Sequence, residues 1–130
     1  MSTWYLDTSA AIKLIVREAG SVDLVRAIEE QRPTLASCQL LETELRRAVQ
    51  RLEVASQRHV TDLLDRVDLY DLNAAMYTQA GLLPGPNLRS LDALHLAAAL
   101  AIGVEAVVTY DARMTEAARD FGLVTLRPPH

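Results

Sequence analysis

Cysteine is nearly absent from this chain: Cys38 stands alone in 130 residues. A lone thiol excludes a disulfide framework and a cysteine-based zinc site, so a reducing interior, and hence the cytoplasm, is the expected setting. Long apolar runs are missing too. The longest uncharged one, LAAALAIGV, is too short to cross a bilayer, and the first residues show no basic start followed by a long apolar core. No membrane role is expected. Nor is there an excess of positive charge: thirteen basic residues face seventeen acidic ones, a net charge of −4, which argues against gripping nucleic acid by overall charge. Lysine occurs once, at Lys13.

Apolar residues, by contrast, make up half the chain, enough at this length for one core and one domain spanning residues 1–130. Strand-like runs recur at Trp4 to Leu6, Thr34 to Ser37, Val67 to Leu72, Ala106 to Thr109 and Val124 to Leu126. Helical patterns fill the gaps, at Ser9 to Val16, Ser21 to Gln31, Gln39 to Ala55, Gln57 to Arg66, Asn73 to Ala80, Ser90 to Ile102 and Ala112 to Phe121. Such alternation predicts an α/β fold with a mainly parallel sheet of about five strands. The stretch LLPGPNLRS, rich in proline and glycine, reads as a loop.

Several carboxylates fall at telling places. Asp7 follows the first strand and Asp111 follows the fourth, so both belong at the C-terminal edge of a parallel sheet, where ligands bind in open α/β folds. Each also has a plainer role as the N-cap of the helix after it. Asp92 opens the helix ALHLAAALAI, apolar nearly all the way round and so covered on several sides. As a first-turn acid it suits the helix dipole, with Ser90 as the cap. In LLETELRRAVQRL the residues Leu41, Leu45, Ala48 and Leu52 form an apolar stripe; Glu44 falls about 60° from its centre and Glu42 about 90° on the other side. Glu44 is the inward candidate, and Glu42 is placed to pair with Arg46 one turn on.

Four acids from four segments thus converge toward one sheet edge. Carboxylates brought together repel and raise each other's pKa, an arrangement met where a hard cation binds. Oxygen ligands without Cys or His point to Mg²⁺ or Mn²⁺ rather than zinc, and the chemistry suited to them is phosphodiester hydrolysis. With four of the seventeen acids neutralised by cations, the thirteen left would balance the thirteen bases.

The segments YLDTSAAIKLIVREAGS, TELRRAV, LRSLDALHLAAAL and VVTYDARM, in this order and spacing, resemble the PIN-domain ribonucleases and, within them, the VapC toxins. The resemblance covers almost the whole chain. It implies a PIN-like three-layer α/β/α sandwich, and an Mg²⁺- or Mn²⁺-dependent endoribonuclease acting on RNA. Asp7, Glu44, Asp92 and Asp111 are its implied catalytic and metal-binding acids, with Thr8 and Thr109 as polar companions. It further implies a VapB-like antitoxin as partner and a homodimer.

The remaining features have bland readings. His95 is expected as a packed residue, Trp4 and Tyr5 as strand and core residues, and Lys13 and Arg17 as a solvated face. Arg46, Arg47 and Arg51 read equally as RNA contacts or a plain surface stripe. A haloacid-dehalogenase-like phosphatase needs a second Asp two residues after the first, where Ser9 stands; a receiver domain needs a late lysine, and none follows Lys13. A housekeeping nuclease for RNA processing, or a PIN fold serving only as a binding or regulatory module, remains the alternative.

Overall fold

The first strand, β1 (Thr3–Leu6), buries Trp4, Tyr5 and Leu6 in succession. Successive strand residues point to opposite faces, so both faces of this strand must be covered, as in a parallel sheet sandwiched by helices. The computed structural model, which describes residues 2–53 and 55–129, has that architecture. After β1 come α1 (Thr8–Ala11), a 3-10 turn (Ile12–Leu14), α2 (Ser21–Gln31), β2 (Thr34–Cys38), α3 (Leu40–Gln50) and α4 (Gln57–Leu64). The chain continues through β3 (Asp68–Tyr70), α5 (Ala74–Leu82), α6 (Ser90–Ile102), β4 (Ala106–Val108), α7 (Ala112–Asp120) and β5 (Thr125–Leu126). The strands lie in the order β3-β2-β1-β4-β5, all parallel, with Tyr5 beside Ala36 on one side and Val107 on the other.

Two cores result from the alternation. On one face Trp4, Leu6, Leu35 and Val108 meet Leu24, Leu41, Leu45 and Val60 from α2, α3 and α4. On the other, Tyr5, Cys38 and Val107 meet Ala98 and Ala99 of α6. The alanines let α6 lie close against the sheet. Its other sides receive Ala80 of α5 against Ala93 and Ala97, and Met114 and Ala118 of α7 against Leu96. The expected three-layer α/β/α sandwich is what the chain forms.

Several boundaries differ from those expected, for local reasons. The first helix begins at Thr8, capped by Asp7, and after one α-turn tightens into the 3-10 turn instead of running to Val16. Ile12, Ile15 and Val16 are β-branched, and Lys13 donates to the Ala19 carbonyl at 2.7 Å, folding the chain back toward Gly20. Gly20 has φ of 91°, and a Cβ there would stand 3.0 Å from the Tyr110 ring. The middle helix stops at Gln50, short of Ala55; Val54, within that expected span, lies outside the described residues. Its last turn tightens through Arg51 N–H to Ala48 O (3.2 Å) and Leu52 N–H to Val49 O (3.0 Å), and the Gln57 amide donates to the Arg46 carbonyl at 2.9 Å. The third strand keeps only Asp68–Tyr70 of Val67 to Leu72.

The early stop also redraws the stripe of α3. Leu41, Leu45 and Val49 are buried, Ala48 is half-buried, and Leu52, beyond the helix, is exposed. Leu45→Ala should therefore cost about 2–5 kcal/mol in chemical denaturation. Leu52→Ala should cost about 1 kcal/mol at most. Equal losses would show that both residues face the core.

Candidate active site

The strands β1 and β4 are neighbours at the middle of the sheet, and the residues just past their ends meet. Asp7, buried, accepts at Oδ1 from the Ala10 backbone N–H (3.0 Å) and the Ser9 hydroxyl (2.7 Å), while the Thr109 hydroxyl donates to its Oδ2. Asp7 thus does more than cap: one oxygen holds the helix and the other faces across to β4. Burial pushes the Asp7 pKa up, and the hydrogen bonds from Thr109, Ser9 and Ala10 limit the rise. Ser9, absent from the candidates drawn from sequence, joins the two strand ends: its hydroxyl accepts from the Tyr110 N–H at 2.8 Å. The signal in sequence was its place two residues after a capping aspartate. Thr8 makes no such bond, and its hydroxyl oxygen is buried without a partner among the described residues.

Asp111 caps α7, with Oδ1 accepting from Arg113 N–H (2.8 Å) and Met114 N–H (3.4 Å). Its own N–H donates to the Thr109 hydroxyl at 3.1 Å, so Thr109 bridges Asp7 to the Asp111 backbone. Asp92 sits in the first turn of α6. That helix has Arg89 as its N-cap with no side-chain capping bond; Ser90, expected as the cap, is already helical, so the N-terminus of α6 is left to the field of Asp92. Burial raises the Asp92 pKa first, the charges of Asp111 and Glu44 raise it further, and His95 opposes them. Asp92 therefore feels the charges of two other acids.

Glu44 accepts a hydrogen bond at Oε1 from His95 Nε2 at 2.6 Å, whereas Glu42 is bound to Arg46 Nε at 3.0 Å, as expected. Helical phase was not what chose between them. On the observed stripe Glu42 lies about 60° from the centre and Glu44 about 100°, the reverse of the expected order. What draws Glu44 in is α6, which presents a histidine to it. His95 is packed as expected, 3% exposed, and its Nδ1 lies 2.7 Å from the Tyr5 hydroxyl and 3.7 Å from Cys38 Sγ. Burial alone would lower its pKa, but bonds to Cys38 and Glu44 and the charge of both outweigh that and hold it at about 10.

The basic residues divide. Arg46 is tied to Glu42, to the Gln57 side chain (3.2 Å) and to Thr61 (3.2 Å), so it belongs to the α3–α4 packing rather than to a ligand surface. Lys13 bonds Glu18 and stacks 4.6 Å from the centre of the Tyr110 ring. Arg89 and Arg113 stand at the starts of α6 and α7, beside Asp92 and Asp111 in sequence, and line a hollow of about 650 Å³ against the loop 84–87. A smaller hollow, about 390 Å³, lies between the 3-10 turn and α2, away from the acids. Among the described residues no three His, Cys, Asp or Glu side chains close to a shared ligating distance.

A family model described as the PIN domain matches residues 4–120. Among curated proteins, ribonuclease VapC35 of Mycobacterium tuberculosis is 36% identical over 129 residues, covering 95% of this chain and 96% of that protein. Among solved structures, M. tuberculosis VapC20, a sarcin-ricin loop cleaving toxin, aligns with a TM-score of 0.76 and 19% identity over 96% of this chain and 99% of its own. The VapBC2 structure from Rickettsia felis, bound to a DNA fragment from their promoter, matches with a TM-score of 0.67 and 18% identity, over 95% and 97% of the two chains. At those identities the structural matches speak for the fold alone. The identity to VapC35 runs along nearly the full length, as common descent requires, and the chain belongs to the PIN domain family, alongside the VapC ribonucleases.

Proposed function

We propose that this protein is the toxin of a VapBC-type toxin–antitoxin pair, an endoribonuclease that hydrolyses RNA phosphodiester bonds with the help of Mg²⁺ or Mn²⁺. One arrangement supports the reading: Asp7 and Asp111 stand just past the ends of β1 and β4, Glu44 and Asp92 lie on α3 and α6, and Asp92 is raised by burial first and then by the charges of Asp111 and Glu44. The donor set fits a hard cation. It is all oxygen, and the buried hydroxyl of Thr8, without a partner among the described residues, lies next to Asp7 in the chain. When bound, such an ion supplies acidified water and positive charge opposite the charge that develops on the phosphate.

The chain's own residues have the remaining work. Asp7 is held by Ser9, Ala10 and Thr109 and cannot swing away. Arg89 and Arg113, in a hollow they share with Glu116 and Asp120, are the side chains offered to a phosphate backbone that the net charge of −4 would otherwise repel. A VapB-like antitoxin is the partner, an expectation supported by the kinship with VapC proteins and by the likeness to VapBC2. The homodimer belongs to the same reading, supported by exposed Tyr77, Leu82 and Leu91 on α5 and α6. So does the single PIN unit spanning residues 1–130, working in the cytoplasm; none of the helices among the described residues is long and apolar enough to cross a membrane.

Purified protein should cleave RNA only with Mg²⁺ or Mn²⁺, leaving a 5′-phosphate and a 3′-hydroxyl, because activated water dispenses with the ribose 2′-hydroxyl as nucleophile. Cleavage persisting in EDTA, or a 2′,3′-cyclic phosphate product, would overturn the mechanism. Glu44→Gln should abolish cleavage and growth inhibition, while Glu42→Gln, which loses only the contact to Arg46, should keep both. The reverse result would move the site to the other glutamate.

Asp7 gives a stability test. A carboxyl whose folded pKa is raised contributes stability below its unfolded pKa and loses it as pH rises through the folded value, so at neutral pH ionised Asp7 weighs against folding. Asparagine keeps a capping oxygen. Without metal, Asp7→Asn should therefore melt at or above the wild-type temperature at neutral pH. Mn²⁺ should stabilise the wild type by about 2.7 kcal/mol at a hundredfold excess over its Kd, and the variant far less. A wild-type melting temperature indifferent to Mn²⁺ would remove the metal from the site.

A further inference from the structure

We infer that His95 is a positioning residue for Glu44, and that Tyr5 in turn holds His95, so that Tyr5, His95 and Glu44 form a buried hydrogen-bonded relay ending at the proposed metal site. The inference rests on the role proposed for Glu44 and adds the residues that aim it.

A glutamate has three rotatable side-chain bonds and, near a surface, samples many conformers. Glu44 is 24% exposed in its side chain, yet its Oε1 sits 2.6 Å from His95 Nε2. An ionised carboxylate only accepts, so Nε2 carries the proton and donates it. The ring that makes this bond cannot turn freely. Its Nδ1 lies 2.7 Å from the Tyr5 hydroxyl, and the Tyr5 ring meets it edge-on, with centroids 5.7 Å apart and planes at 78°. Tyr5 is 1% exposed, on the central strand of the sheet.

The connectivity gives the relay its meaning. Tyr5 lies two residues before Asp7 on β1, and His95 lies three residues after Asp92 on α6. The strand that delivers Asp7 therefore anchors the ring that orients Glu44, and the helix that delivers Asp92 carries that ring. One relay ties three of the four acids to a common frame. Partners of ligating carboxylates typically change metal affinity or activity by about tenfold to a hundredfold when lost.

The test compares His95→Leu, His95→Gln and Tyr5→Phe with the wild type. Leucine fills the space with no donor; glutamine places an amide donor at the same distance along the side chain as Nε2; phenylalanine removes only the hydroxyl. Mn²⁺ affinity is measured on the metal-free proteins by electron paramagnetic resonance and calorimetry, RNA cleavage by kcat/KM, and folding by thermal melts without metal. His95→Leu should weaken Mn²⁺ binding and lower kcat/KM, each by about tenfold to a hundredfold. His95→Gln should recover most of the loss, and Tyr5→Phe should move both in the same direction by less. In a Glu44→Gln background, His95→Leu should change Mn²⁺ affinity no further.

A His95→Leu protein that melts earlier yet binds Mn²⁺ and cleaves like the wild type would show a purely structural histidine and overturn the inference. If leucine prevents folding, unchanged Mn²⁺ affinity in both His95→Gln and Tyr5→Phe, with no additional loss of kcat/KM, overturns it as well. A wild type that binds no Mn²⁺ overturns it together with the site. Wild-type binding that Glu44→Gln abolishes, with His95→Leu having no effect, overturns the relay alone.

Discussion

Two strand ends are clasped at the centre of this protein. The Thr109 hydroxyl, past the end of β4, donates to one oxygen of Asp7, past the end of β1, while the other oxygen of Asp7 caps the helix that follows. Both residues are buried and both lie at the sheet's C-terminal edge, so the clasp fixes the spacing of the two strand ends there. Ser9 braces it by reaching the Tyr110 backbone, and Thr109 passes the constraint to Asp111 through the Asp111 N–H. A polar cluster at such depth is tolerated because nearly every member is bonded; an unpaired buried group would carry the full desolvation cost. Among the described residues the Thr8 hydroxyl is the exception.

The second constraint is like charge. Burial raises both Asp7 and Asp92, and the charges of Asp111 and Glu44 raise Asp92 further, so these two carboxyls hold their protons more readily than free ones. Folding assembles this repulsion because the two hydrophobic cores beneath it outweigh it, and a bound cation would relieve it. The packing of α6 belongs to the same compromise: an alanine-rich helix can sit close on the sheet, and that closeness is what brings Asp92 and His95 to the edge.

Much of this was readable along the chain. The alternation of apolar runs predicted a parallel sheet because βαβ connections need a helix between parallel strands, and α2 and α6 have the expected limits at both ends. Pairing of Glu42 with Arg46, one turn apart, follows from helix geometry alone. Where the reading departed from the structure, the competing cause was local. The first helix broke into a 3-10 turn because Lys13 satisfies the Ala19 carbonyl, and α3 stopped early, in a tightened last turn with the Gln57 amide bonded to the Arg46 carbonyl. The apolar stripe of α3 consequently shifted, and the angular reason for preferring Glu44 lapsed even though Glu44 is the residue bonded to His95.

What the sequence by itself determined was therefore everything carried by short-range periodicity: the order of strands and helices, the caps at Asp7 and Asp111, and the delivery of acids to the ends of β1 and β4. These follow from the geometry of a few consecutive residues, which neighbours in sequence suffice to set. Tertiary structure alone decided the partners: Thr109 for Asp7 across 102 residues, His95 for Glu44 across 51, and Tyr5 for His95 across 90. No periodicity encodes such pairings, because they depend on which strand lies beside which and on how closely α6 packs, and both are fixed only when the two cores close on the sheet.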